Sequence, residues 1–167
     1  MEFDGERTPG GVRGVLVDAN LLVLLVVGSA DRELIGRVGR TDNYTGEDFD
    51  LVLKFLRPFG RVVATPQVLA ELTNLLSLPR RDPYGLRVLS SMIQVLAKAT
   101  EEYVPKDVML GKPEVLCRIG FTDLSLMEAA QGGYPVLTAD RRCADELRAA
   151  GCSVMNFNEL RQSEWNS

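Results

Sequence analysis

The sequence predicts an α/β protein, a single domain with a central, mostly parallel β-sheet flanked by α-helices. Three observations carry this expectation. Short apolar triplets such as VLV at Val15 to Val17 and VVA at Val62 to Ala64 stand between turn residues and read as strands buried on both faces. Stretches with apolar residues at helical spacing separate them. The last third of the chain then alternates helix, strand, helix and strand, which builds a parallel sheet and directs ligands to the C-terminal ends of its strands.

Taken in order, VLV follows Gly-rich punctuation and ends at Asp18. Ala19 to Val27 reads as a buried helix, SADRELIGRV as a second short helix, and GRTDNYTGED as a polar stretch. Phe49, Leu51, Val52, Leu53, Phe55 and Leu56 predict a helix from Glu47 that stops at Pro58. RVVATP supplies the second strand. Its proline suits the first turn of the helix QVLAELTNLLSL, which sets Leu69, Leu72, Leu75 and Leu76 on one face. Tyr84 to Tyr103 carries Leu86, Leu89, Met92, Ile93, Leu96 and Ala97 at the spacing of one long amphipathic helix, which ends before Pro105. A short helix covers Pro113 to Ile119. GFTDLSLMEAAQGG is a helix closed by glycines, YPVLTAD a strand, RRCADELRAAG a helix with a C-terminal glycine, and CSVMNF a strand. The domain is expected to span residues 14–160, with flexible segments at 1–13 and 161–167.

The 167 residues suit one compact domain, and an apolar fraction of 46% is enough for a core. The apolar run at Val15 to Val27 is too short to span a bilayer and is interrupted by Asp18 and Asn20, so the reading is no membrane and a cytoplasmic location. Cys117, Cys143 and Cys152 match no zinc spacing and are expected as reduced thiols. The chain has no histidine, which excludes a Ser-His-Asp triad, a Cys-His pair and a histidine-bound zinc. Its chemistry must run on carboxylates, lysines or hydroxyls. A net charge of −4 argues against non-specific coating of nucleic acid, while leaving room for a local basic rim.

Two strand ends deliver an acid to the same edge of the predicted sheet: Asp18 after VLV and Asp140 after VLTA. Two helices offer Glu71 and Asp123. Each has an ordinary structural explanation. Asp140 can cap a helix, Asp123 lies in a first turn where the helix dipole favours an acid, and Glu71 can be a solvated helix residue. Asp18 is the least ordinary, because a carboxylate at the end of a buried strand must be compensated. Four carboxylates on one edge repel one another, and the neighbouring sequence lacks enough Lys or Arg to neutralise them. A divalent cation does so, and hard oxygen ligands without His or Cys select Mg2+ or Mn2+. Asn20 and Thr138, each two residues from a strand-end acid, are placed to orient the carboxylates by hydrogen bonds.

The segments VDANLL, PQVLAELTNLL and GFTDLSLMEAAQGGYPVLTADRRCADELRAAGCSVMNF, in that order, resemble the PIN-domain ribonucleases, the family that includes the toxin half of VapC-type toxin–antitoxin pairs. The resemblance covers nearly the whole chain and is strongest from Phe121 to Phe157. It implies a small α/β domain whose acidic pocket binds Mg2+ or Mn2+ and hydrolyses single-stranded or structured RNA. On the family's motif, Asp18 with Asn20 matches the first acid, Glu71 the helical glutamate, Asp123 the third acid, and Thr138 with Asp140 the T-x-D element. The segment from about 28 to 59 is longer than in compact PIN toxins.

Such a site supports metal-assisted phosphodiester hydrolysis with one metal or two. Arg141, Arg142, Arg37 and Arg40 are candidate phosphate contacts, with Arg80 and Arg81 further possibilities, and Tyr44 or Phe121 is a candidate for stacking on a base. The partners expected are an RNA substrate, an antitoxin protein and a second copy of the chain. A phosphotransfer enzyme of the haloacid-dehalogenase type requires a second Asp where Asn20 stands, and a receiver module requires an acidic pair and a late lysine that are not evident here. A non-catalytic PIN-fold module that binds RNA or a protein is the remaining alternative.

Overall fold

The computed structural model describes residues 14–77 and 83–165. The segment 1–13 and the candidates Arg80 and Arg81 lie outside the described residues. Five strands, β1 (Val15–Val17), β2 (Val62–Ala64), β3 (Thr100–Glu101), β4 (Val136–Thr138) and β5 (Val154–Asn156), form one sheet in the order β3-β2-β1-β4-β5. Every pairing is parallel, with Val15 opposite Val62 and Leu16 opposite Val136. The chain lays β2 and β3 on one side of β1, then crosses over to lay β4 and β5 on the other. This makes β1 and β4 the switch point of the sheet, where a crevice opens beyond the strand C-termini.

The first helix, α1 (Ala19–Ala30), is apolar on every side, and Leu21 to Val27 are buried without interruption. Such a helix must be enclosed, and α2 (Gly46–Leu56), α3 (Pro66–Leu76) and α4 (Pro83–Leu96) pack around it. Local chemistry starts several of these helices where the sequence reading placed them. Thr45 and Asp48 cap α2 reciprocally, and Thr65 caps α3 ahead of Pro66. Among the described residues no helix is long and apolar enough to cross a membrane.

Three expectations require correction. SADRELIGRV does not form a helix. Only the 3-10 turn Arg32–Leu34 appears, because Gly36 and Gly39 adopt positive φ values of 81° and 62° and break the run. The expected long helix from Tyr84 to Tyr103 stops at Leu96, and Thr100–Glu101 becomes the edge strand β3, followed by α5 (Lys106–Leu110). Two residues carry no periodicity to read. The pairing is supplied by β2, for example where the Glu102 amide donates to the Ala64 carbonyl at 3.0 Å. The two helices expected on either side of Gly120 are present as the two halves of α6 (Pro113–Gln131), which meet at a kink where Gly120 takes φ 82° and ψ 174°. The bend lets Lys112, just ahead of the first half, pair with Glu128 in the second.

The tail expected to be flexible from residue 161 is instead the end of α8 (Phe157–Trp165), which follows β5 after α7 (Arg141–Ala149). Arg161 pairs at 2.9 Å with the fully buried Asp48, Lys54 pairs at 2.8 Å with Glu164, and Tyr44 packs against the buried Phe157. Much of the longer segment between α1 and β2 thus forms a seat for the C-terminal helix.

Candidate active site

Asp18 ends β1 and caps α1, and it is 5% exposed. Its compensation comes from hydrogen bonds. Oδ1 accepts from the Leu21 amide at 2.8 Å, while Oδ2 accepts from the Ala139 amide at 2.8 Å and from the Thr138 hydroxyl. Burial pushes the Asp18 carboxyl above its ordinary pKa, and the nearby Asp140 adds to the rise. The bonds from Thr138, Leu21 and Ala139 oppose it. One carboxylate thereby joins β1, α1 and the end of β4.

Thr138 is fully buried and joins two of the acids. Its hydroxyl donates to Asp18 and accepts the Asp140 amide proton at 3.0 Å. Asp140 in turn caps α7, where its Oδ1 accepts from the Cys143 amide at 3.1 Å, and its side chain is exposed at the crevice. The T-x-D spacing therefore has a local cause: the middle residue turns the chain out of β4 so that its amide reaches Asp18, and the next starts a helix.

Asp123 follows the Gly120 kink on α6 and is half-buried. Its carboxyl is raised to a pKa of about 6, chiefly by desolvation, with a hydrogen bond from the Cys143 thiol opposing the rise and the charges of Asp140, Glu71 and Asp18 adding to it. Glu71, half-buried on α3, completes the set. A buried hydroxyl pair, Thr65 Oγ1 and Ser125 Oγ at 2.7 Å, holds the start of α3 to α6 and so fixes the helix of Glu71 against that of Asp123.

Asp18, Glu71, Asp123 and Asp140 all line one pocket of about 250 Å3, together with Asn20 and Thr138. Among the described residues, no lysine or arginine lines it. Among the described residues, no three Asp, Glu, Cys or His side chains are gathered into a ready-made metal cluster, so the carboxylates share the pocket without closing on a point. Their chemistry nevertheless fits Mg2+ or Mn2+: the donors are hard oxygens, the nearest thiol is protonated, and the negative charge has no protein cation in the lining. A larger pocket of about 340 Å3, lined by Leu25, Phe49, Leu53 and Val62 among others, contains no carboxylate.

The candidate basic residues stay outside the pocket. Arg141 is exposed and lies 3.9 Å from Asp145, and Arg142 donates to the Arg118 carbonyl; both line a shallow depression with Asp145 and Glu146 on the outer face of α7. Arg37 and Arg40 are exposed in the segment after the 3-10 turn, and neither lines the acid pocket. The two aromatic candidates separate clearly. Tyr44 is packed against Phe157, whereas Phe121 is 47% exposed and lines the acid pocket.

Cys143 is a participant that the sequence reading assigned only as a reduced thiol. It is 1% exposed, is held well above the ordinary thiol range by burial and the surrounding acids, and hydrogen-bonds to Asp123. Its position one helical turn after Asp140, on the inner face of α7, was the available signal. No family model matches the chain, and no curated protein matches it.

Proposed function

We propose that this protein is a divalent-metal-dependent endoribonuclease of the PIN class, which hydrolyses RNA phosphodiester bonds at the pocket of Asp18, Glu71, Asp123 and Asp140. The observation that supports this most is the convergence of four carboxylates from β1, α3, α6 and the end of β4 on one crevice that, among the described residues, has no lining cation. Mg2+ or Mn2+, when bound, would supply Lewis-acid stabilisation of the phosphate and a more acidic water. Asp18, Asp123 and Asp140 would hold it, with Glu71 completing the site. Thr138 and the Ala139 amide fix the orientation of Asp18, and Asn20 lines the same pocket. Without histidine, water activation falls to the metal or to a carboxylate such as Asp140 or Glu71. Arg141 and Arg142, exposed on the outer face of α7 that Asp140 caps, are the candidate phosphate contacts of this reading. A cytoplasmic toxin of a toxin–antitoxin pair, with a protein antitoxin and self-association, is the biological setting in which this reading places the chain.

A second reading is favoured by one observation. Both oxygens of Asp18 are already used in capping and strand connection, and no formed metal cluster is present among the described residues, which suits a non-catalytic PIN-fold module that binds RNA or a protein. One experiment separates the two. Purified protein is incubated with a mixed panel of single-stranded and structured RNAs in Mn2+, Mg2+ or EDTA, beside Asp140→Asn. Cleavage that needs metal and is lost in the variant supports the nuclease. Retained folding and RNA binding with no turnover in any metal supports the module.

A further inference from the structure

The acid pocket has one feature that phosphate chemistry does not use. Among the described residues its lining contains no cation, yet it includes a large aromatic ring, Phe121, that is 47% exposed. Leaving such a ring in contact with water forgoes part of the stabilisation that burying it would give. The backbone specifically delivers it there. Gly120 takes φ 82° and ψ 174°, a conformation essentially confined to glycine, so that α6 breaks one residue before Phe121 and restarts with Asp123 on the next residues. No atom lies within 4 Å of where a Gly120 Cβ would stand, so crowding does not demand glycine; the conformation does. The ring and the Asp123 carboxylate are thereby held two residues apart at one crevice.

We propose that Phe121 is a stacking platform for an unpaired nucleobase beside the scissile phosphate, and that this side chain selects single-stranded over paired RNA; this rests on the ribonuclease reading. A base within a duplex has its faces covered by its neighbours, whereas an unpaired base offers a free π-face to an aromatic side chain. Stacking also suits a pocket without cations, because it binds the base while leaving the phosphate to the carboxylate-bound metal and the outer arginines. Tyr44, the other candidate, already packs on Phe157 and takes no part.

The test combines binding and turnover. Fluorescence anisotropy measures a short labelled oligoadenosine, single-stranded or annealed to oligouridine, against protein carrying Asp140→Asn so that the strand survives. Adding Phe121→Ala weakens single-strand binding about ten-fold, within the range of one lost base–aromatic stack, and leaves duplex binding unchanged. Phe121→Trp restores the affinity and Phe121→Leu does not, which distinguishes stacking from mere apolar packing. With Asp140 intact and Mn2+ present, Phe121→Ala raises KM on single strands about ten-fold with kcat little changed. If the parent cleaves RNA and Phe121→Ala matches it in both assays, the stacking role is overturned and the nuclease reading stands. If the parent is inert but binding depends on an aromatic at this position, the stacking role stands and hydrolysis is withdrawn. Neither cleavage nor aromatic-dependent binding overturns both.

Discussion

At the scale of residues, the four carboxylates differ in what their environment asks of them. Asp123 has a folded pKa of about 6 against an ordinary 3.8, so between about pH 4 and 6 the folded state holds more protons than the unfolded one. The stability associated with the protonated form is present below that window and is lost as pH rises through it. In metal-free protein, Asp123→Asn therefore gains about 1 kcal/mol over wild type at pH 7 and nothing at pH 4, once screening of the half-buried group is allowed for. Urea denaturation at the two pH values measures this difference. Asp18→Asn behaves oppositely. An amide has one accepting oxygen where Asp18 uses two, so either Leu21 or Ala139 loses its acceptor, at a cost of about 1–3 kcal/mol in the same measurement. Asp140 is exposed and caps α7 through one oxygen, which Asn replaces well, and this makes Asp140→Asn the cleaner probe of chemistry. Asp18 was legible in the sequence because an acid directly after an apolar triplet is unusual, and Asp140 because it follows the second strand end, VLTA. The hydrogen bond from Cys143 to Asp123 was not, since it depends on how α7 lies against α6.

At the scale of elements, what could be read was what local chemistry decides. The strands VLV and VVA and the start of α3 at Pro66 fall where the sequence puts them. The edge strand β3 was missed because its two residues gain their conformation from β2, and α8 was missed because its place depends on Asp48 and Tyr44 meeting its Arg161 and Phe157 across the fold. The kink in α6 was marked in the sequence by Gly120, although its sharpness was not. Gly120→Ala should destabilise the protein by about 1–3 kcal/mol from backbone strain alone, with no steric clash to relieve by a second substitution. Thermal unfolding checks this. A variant as stable as wild type would show that the kink is not required.

At the scale of the whole molecule, the sheet order brings two acids to one crevice from strands far apart in sequence, while α3 and α6 carry the other two to its wall. The α/β class and the parallel sheet were readable from the alternation of elements; the reversal between β1 and β4 was not, because strand order is set by packing of the helices around α1. The C-terminal helix closes the structure through Arg161 and buried Asp48. Arg161→Ala leaves that carboxylate without its guanidinium and should cost about 3 kcal/mol by denaturant titration, against little for removal of the exposed Lys54–Glu164 pair. The central claim is that the four-carboxylate crevice holds a divalent cation. Calorimetric titration of Mn2+ into wild type and into the Asp123→Asn, Asp140→Asn double variant tests it most directly. Saturable binding in wild type that weakens at least about ten-fold in the variant is the predicted result. Absence of saturable binding to the folded wild type, or equal binding by both proteins, would contradict it.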